Sequence, residues 1–313
     1  MTVSRPIRVG LIVALSAALA AGVYVLASGT ATYRAQTPDV LQARALLTAR
    51  GMRLDARNIQ AALTQGQGVL VDIGDRISQP GTASDVTKLD RAGKGQLVRL
   101  SWPCMDILRL GRELTHRTGG AYDMTGGRWK NIAIHNTGVE FTAGPFPIDL
   151  TGTARAYAVD KALHAMALQG VRGAKVELGE AMRCFSAAGE GPWHAAVPNP
   201  FVKDASLGTI ALDRGAVCSA AGNGRAATVV AASATLAHAW AQALVVLGPE
   251  GLGRIDAGVE ALVVVADKDN GTWSATPGFE KLLTAPLPAT RRRALPPAGK
   301  PATTSGPATE PRP

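Results

Sequence analysis

The sequence predicts an α+β fold, antiparallel strands with separate helices. Three observations support this. Between residues 131 and 276, short runs rich in Val, Ile, Ala and Thr recur between Gly, Asp and Asn turn signals. The helical segments stand apart from these runs instead of alternating with them at a constant spacing. A chain of 313 residues that is 46% hydrophobic also has the material for a sizeable core.

In chain order, "TPDVLQARALLTARG" (37–51) has a Thr cap, a Pro in the first turn and a Gly stop, and so predicts a helix. A second helix is expected from Asn58 to about Ile77, and "GTASDVTKLDRAGKGQ" (81–96) reads as a polar loop. "PCMDILRLGRELTHRTGG" (103–120) sets Cys104, Ile107, Leu108, Gly111 and Leu114 on one helix face, with Gly119 as its stop. Helices are therefore expected before the first strong strands. "NIAIHNTGVEFTAG" (131–144) is a hairpin signal with Asn-Thr-Gly at its bend. "GAKVELGEAMRCFS", "PWHAAVPNP" and "GTIALDRGAVCSAA" continue as short strands. A helix follows Asp149, and "ASATLAHAWAQALVVLG" (232–248) forms another, with Leu236, Trp240, Leu244 and Leu247 on one stripe. "EALVVVADKDNGTWSAT" (260–276) closes with a hairpin around Asp-Asn-Gly.

The two ends differ from this body, and three segments are expected: a leader over 1–34, one domain over 35–283 and a Pro-rich disordered tail over 284–313. The leader carries Arg5 and Arg8, then an apolar run from Val9 to Ala27, then small residues, which is an export signal. The length of that run suits a cleaved signal peptide and a membrane anchor equally. In either case the arginines stay on the cytoplasmic side, so the body is expected outside, in the periplasm or on the outer face of the inner membrane. The formal charge of +9 belongs largely to these ends, since residues 1–34 carry +3 and residues 284–313 carry +4. The body is left near neutrality, which argues against a nucleic-acid partner. The three cysteines, Cys104, Cys184 and Cys218, lie far apart with no paired spacing, and small buried residues are expected there.

Several short patterns carry no function. "GLGRIDAG" (251–258) has dinucleotide-like glycines but follows a helix instead of a strand, and "AGKGQ" lacks the upstream glycine of a phosphate loop. Two stretches hold more chemistry. "RTGGAYDMTGGRW" (117–129) ends a helix on two glycines and presents Ala121, Tyr122 and Asp123 in one turn. "PIDLTGTARAYAVDKA" (147–162) places Asp149 before a Thr-Gly-Thr corner and Arg155 in the helix beyond it. An ordinary ion pair across the corner is one reading. The other is an anion seat, because backbone N–H groups at a glycine corner entering a helix, with a nearby guanidinium, suit a pyrophosphate.

Together with "TVVAASATLAHAWAQALVVLGPEG" (228–251), the order of these stretches resembles the FAD:protein FMN transferases, or ApbE-type flavinyl transferases, from about residue 55 to 283. The resemblance implies FAD as substrate, bound by Ala121, Tyr122, Asp123, Asp149 and Arg155, with Asp149 and Arg155 also in the catalytic role. It implies a divalent ion, Mg²⁺, at Gly152, His238 and Gln242. The implied reaction moves FMN from FAD onto a Thr or Ser of an exported acceptor protein, with AMP leaving. Here the chain departs from the family pattern. His238 stands in place of a metal-binding Asp and Gln242 in place of a Thr, and a neutral imidazole and an amide suit Mg²⁺ poorly. "GAVCSAAGNGRAATVV" (215–230) also lacks the family's loop between two strands, and Leu178–Gly179–Glu180 stands where two glycines are usual. The alternative is therefore a non-catalytic FAD-binding accessory protein that has lost the metal site.

Overall fold

The computed structural model describes residues 29–78, 84–202, 204–266 and 271–287. Its centre is an eight-stranded sheet in the order β1-β2-β6-β7-β10-β11-β12-β13, with neighbouring strands antiparallel throughout. The strands are β1 (Thr30–Val40), β2 (Ala43–Met52), β6 (Gly173–Leu178), β7 (Ala181–Ser186), β10 (Arg214–Gly222), β11 (Arg225–Ala231), β12 (Glu260–Val265) and β13 (Thr272–Ala275). A small sheet joins β3 (Leu97–Arg99), β5 (Gly138–Phe141) and β4 (Ile132–Ile134), and a separate hairpin pairs β8 (Trp193–Pro198) with β9 (Ser206–Leu212).

Period-two patterning divides the core between the two faces of the large sheet. Along β10 to β12, Ala216, Cys218, Val229, Ala261 and Val263 face one cluster, while Val217, Val230, Leu262 and Val264 face the other. The first cluster is covered by α1 (Ala56–Ser78), α3 (Trp102–Arg117), α4 (Thr151–Ala167) and α5 (Ala234–Leu247). The second is closed by the β8–β9 hairpin and α6 (Pro277–Leu282), with Trp193, Ile210, Trp273 and Phe279 buried among them. The helix α5 is not amphipathic in the simple sense expected. Ala237, His238, Ala239, Trp240, Ala241 and Ala243 are all buried, so the Leu236–Trp240–Leu244–Leu247 stripe is only part of a nearly enclosed helix. Small alanines let that helix lie close to the sheet.

The α+β class, the helices 58–77 and 103–120 and the hairpin at 131–144 stand as expected. The helix expected over 37–51 does not form, and strands rather than helices open the described chain. That segment is the β1–β2 hairpin, turned by Asp39, Leu41 and Gln42 at positive φ of 53°, 49° and 63°. Its Pro and Gly punctuate a hairpin instead of a helix. Ala45, Leu47 and Ala49 alternate into the core while β2 pairs with β6 from Ala45↔Leu178 to Arg50↔Gly173. Pairing on both edges of β2 outweighs a local helix signal. The polar loop 81–96 contains the short helix α2 (Asp85–Asp90), capped by Ser84 and tied down by the buried Asp85, which accepts from Ser101 N at 2.9 Å.

The folded chain runs past both expected edges of the 35–283 domain. Residues 30–34 of the expected leader are part of β1, whereas the apolar run 9–27 lies outside the described residues. Among the described residues no helix is long and apolar enough to cross a membrane. At the other end the chain stays on the fold past residue 283. Thr284 N donates to Thr209 O at 2.8 Å, and Leu287 is buried in the second cluster. The remainder of the expected tail, 288–313, lies outside the described residues, as does the 267–270 segment of the Asp-Asn-Gly turn.

Leu287 is 7% exposed, so Leu287→Ala removes buried apolar surface and should cost about 2–3 kcal/mol. At about 2–4 °C per kcal/mol for a chain of this size, the melting temperature should fall by at least about 4 °C in a thermal scan.

Candidate functional site

The turn after α3 is built by hydroxyl and carboxylate caps. Gly119 and Gly120 take positive φ of 62° and 83°, which lets Gly120 N return to Thr115 O at 2.8 Å and ends the helix. Thr118 Oγ1 donates to Leu114 O and accepts from Tyr122 N, which turns the Tyr122 ring inward. Asp123 then closes the loop on itself. Its carboxylate accepts from Thr125 N at 2.7 Å, Thr125 Oγ1 at 2.6 Å and Gly127 N at 2.9 Å. A carboxylate with this many local donors orders the turn first, and any ligand contact is additional.

The second stretch docks directly on the first. Asp149 N donates to Met124 O at 2.9 Å, and the buried Tyr122 hydroxyl pairs with Thr153 Oγ1 in the first turn of α4. Met124 itself packs on α3, where a Cβ added to Gly111 would meet its sulfur at 2.6 Å. The Asp149 carboxylate is exposed, accepts Thr151 N at 3.2 Å and stands at the mouth of the corner. Ala121 is half-buried against the main cluster.

Arg155 does not pair with Asp149. Its Nε donates to Leu41 O at 2.9 Å and its Nη2 to Gln42 O at 3.3 Å, while Nη1 lies 3.5 Å from Glu180. The guanidinium therefore holds the strained β1–β2 turn and the β6–β7 turn. The β6–β7 turn is where Gly179, at φ 59°, packs beside the Arg155 side chain.

The third stretch supplies His238 from α5. Its imidazole sits over Gly152 so closely that a Cβ there would lie 2.5 Å from Cε1 and 2.8 Å from Nε2. The ring meets Tyr122 edge-on, with centroids 6.0 Å apart at 81°, and Nδ1 lies 3.8 Å from Cys218 Sγ. Burial pushes the His238 pKa down to about 4, although Asp149 and Glu180 pull it upward, so the ring is neutral at physiological pH. Burial likewise raises the Cys218 thiol to about 12 and keeps it protonated. Gln242, one turn on, is exposed.

This donor set does not fit Mg²⁺. A hard cation is held mainly by anionic oxygen. The positions implied for the metal offer one neutral imidazole packed on Gly152 and an exposed amide. No group of three or more His, Cys, Asp and Glu among the described residues could hold a metal ion. All three cysteines are buried and unpaired, in keeping with the small buried role expected of them.

Three residues that the sequence reading leaves out of the site prove central. Asp160 accepts Ala234 N at 2.8 Å, Thr235 N at 3.0 Å and Thr235 Oγ1 at 2.7 Å, and pairs with Arg183 at 2.9 Å. It thus anchors the N-terminus of α5 to α4, one carboxylate neutralising two orphan amides. Thr153 and Cys218 hold Tyr122 and His238. Asp160 had a signal, as the acid closing "YAVD", whereas nothing in local sequence marks Thr153 or Cys218 as partners of residues so far along the chain. The strand turn after Gly222 is the two-residue Asn223–Gly224, both at positive φ, so β10 and β11 follow each other without an intervening loop.

The ApbE family profile matches residues 127–226. The structure is similar to that of the Flavin Transferase ApbE from Vibrio cholerae, with a TM-score of 0.70 and 18% identity over 82% of this chain and 100% of that one. It is also similar to the apo flavinyl transferase ApbE of Pseudomonas stutzeri, with a TM-score of 0.70 and 19% identity over 82% of this chain and 98% of that one. The apbe protein from Thermotoga maritima gives 0.69 and 19%, over 80% and 99%. No curated protein matches the sequence. The expected resemblance is borne out, and the fold is that of the ApbE flavin transferases.

Asp160 is 13% exposed at its side chain and carries four contacts, so Asp160→Ala leaves two helix amides and Arg183 unpaired. The loss should be about 2–4 kcal/mol. Urea unfolding should show a lower midpoint with an unchanged slope.

Proposed function

We propose that this protein binds FAD at the Thr151–Thr153 corner and acts as a flavinyl transferase, moving FMN onto a Thr or Ser of an exported redox protein. The observation that carries this reading is the convergence of the three sequence stretches on one corner. Tyr122 meets Thr153, Asp149 meets Met124, and His238 meets Gly152. The ApbE fold and the family match over 127–226 support it.

In the proposed reaction the acceptor hydroxyl oxygen attacks the FMN phosphorus and the phosphoanhydride bond to AMP breaks. The hydroxyl proton leaves to a base or to solvent. Such a transfer depends on positioning and charge neutralisation more than on covalent chemistry. This chain contributes the amides at the start of α4, which favour negative charge. Asp149, at the mouth of the corner, is placed to accept a hydrogen bond from the flavin or the acceptor. Asp123 and Arg155 act one step back, ordering the turns that form the cleft walls. Arg5 and Arg8 before the apolar run 9–27 support export and a position at the membrane surface, where the acceptor would be met.

A second reading, the non-catalytic FAD-binding protein, is favoured by one observation. His238 lies on Gly152 where the resemblance implies a cation, and no carboxylate replaces the missing ligand nearby on α5.

Incubation with FAD, Mg²⁺ and a threonine-containing acceptor peptide, read by mass spectrometry, tests both. An FMN adduct with release of AMP is the outcome expected of the transferase. FAD binding without any adduct leaves the accessory reading, and no FAD binding overturns both. Asp149→Ala should weaken FAD binding about tenfold in a fluorescence-quenching titration, the loss of one hydrogen bond to a buried ligand. Its melting temperature should stay close to wild type, because Asp149 is exposed and its one side-chain hydrogen bond is to the local Thr151 N.

A further inference from the structure

The imidazole of His238 is nine-tenths buried, yet only one of its nitrogens has a hydrogen-bond partner among the described residues. Nδ1 faces Cys218 Sγ at 3.8 Å, while Nε2 has no hydrogen-bond partner among the described residues. Nε2 adjoins the first turn of α4, lying 2.8 Å from the point a Gly152 Cβ would occupy. A buried polar atom left unpaired costs stability, about 1–3 kcal/mol, unless a ligand or water meets it.

The partner of Nδ1 decides what Nε2 offers. A thiol next to a ring nitrogen can donate to it, and Cys218 Sγ is in that position. Donation from the thiol makes Nδ1 the acceptor and leaves the ring proton on Nε2. The thiol also lies 3.9 Å from Ser219 O, an adjacent carbonyl on its own strand. When the thiol donates to Nδ1 instead of to Ser219 O, the result is a single N–H donor at the start of a helix.

We propose that His238 Nε2–H takes the place of a divalent ion here, donating to a phosphate oxygen of the flavin nucleotide, with Cys218 as the positioning residue that selects this tautomer. The inference rests on the FAD-binding reading above. Because the donor is part of the chain, phosphate recognition needs no free metal. A bound cation would have to displace the ring from Gly152.

Calorimetric titration of the protein with riboflavin, FMN and FAD, each in EDTA and in Mg²⁺, tests this. FMN and FAD should bind in EDTA, at least about tenfold more tightly than riboflavin, and Mg²⁺ should change their dissociation constants less than about twofold. His238→Ala should reduce the FMN-to-riboflavin preference about fivefold or more, leaving riboflavin affinity little changed. Cys218→Ala should reduce the preference partway, and Cys218→Ser, which keeps a donor, should restore it. Circular dichroism melts on each variant verify folding. Mg²⁺ tightening of FMN binding tenfold or more would overturn the inference while leaving flavin binding intact. So would an unchanged preference in folded His238→Ala. Failure of all three flavins to bind would overturn the FAD reading itself.

Discussion

The site depends on the placement of α5 against α4, and one carboxylate fixes it. Asp160 lies on α4, yet its oxygens take the first amides of α5 and the Thr235 hydroxyl, while Arg183 from β7 balances the charge. An anion at a helix N-terminus is favourable twice over, through direct hydrogen bonds and through the helix dipole. With that end fixed, the next turn of α5 carries His238 to Gly152. A glycine is required because the ring comes nearer than any Cβ would allow.

Close packing then sets the electrostatics. Taking the imidazole out of water holds it neutral, and a neutral ring brings one hydrogen-bond donor where a carboxylate would bring a negative charge. Arg155 follows the same logic in the opposite sense. Its charge is absorbed by the carbonyls of Leu41 and Gln42, residues whose positive φ needs an external hold, and by Glu180. Under the proposed FAD-binding reading, anion recognition falls to main-chain amides and the His238 ring.

The same sheet that supports the cleft also separates it from the second core. Alternating residues of β10 and β11 send Cys218 and Val229 toward α5, and Val217 and Val230 toward Trp193 and Phe279. Cys218 thus reaches His238 only because its strand register is set by pairing with Ala181 and Val229 on either side. A slip of one residue would turn the thiol to the opposite face.

The sequence by itself determined the α+β class, the long helices and the order of the chemical stretches. Those signals are local: periodicity, caps, glycine stops and residue identity over short windows. It also carried the departure at His238, since a residue type is read directly. Tertiary structure decided the rest. The 37–51 segment became a strand because β6 pairs along its far edge, and no local pattern encodes a partner over a hundred residues away. Leu287 joined the core because the β8–β9 hairpin offers it an apolar seat that the Pro-rich composition did not reveal. Arg155 turned away from Asp149 because carbonyls from a distant turn needed its donors, and Cys218 met His238 through sheet register. Each of these is a contact between residues far apart in the chain, fixed by burial and geometry that exist only once the sheet has formed.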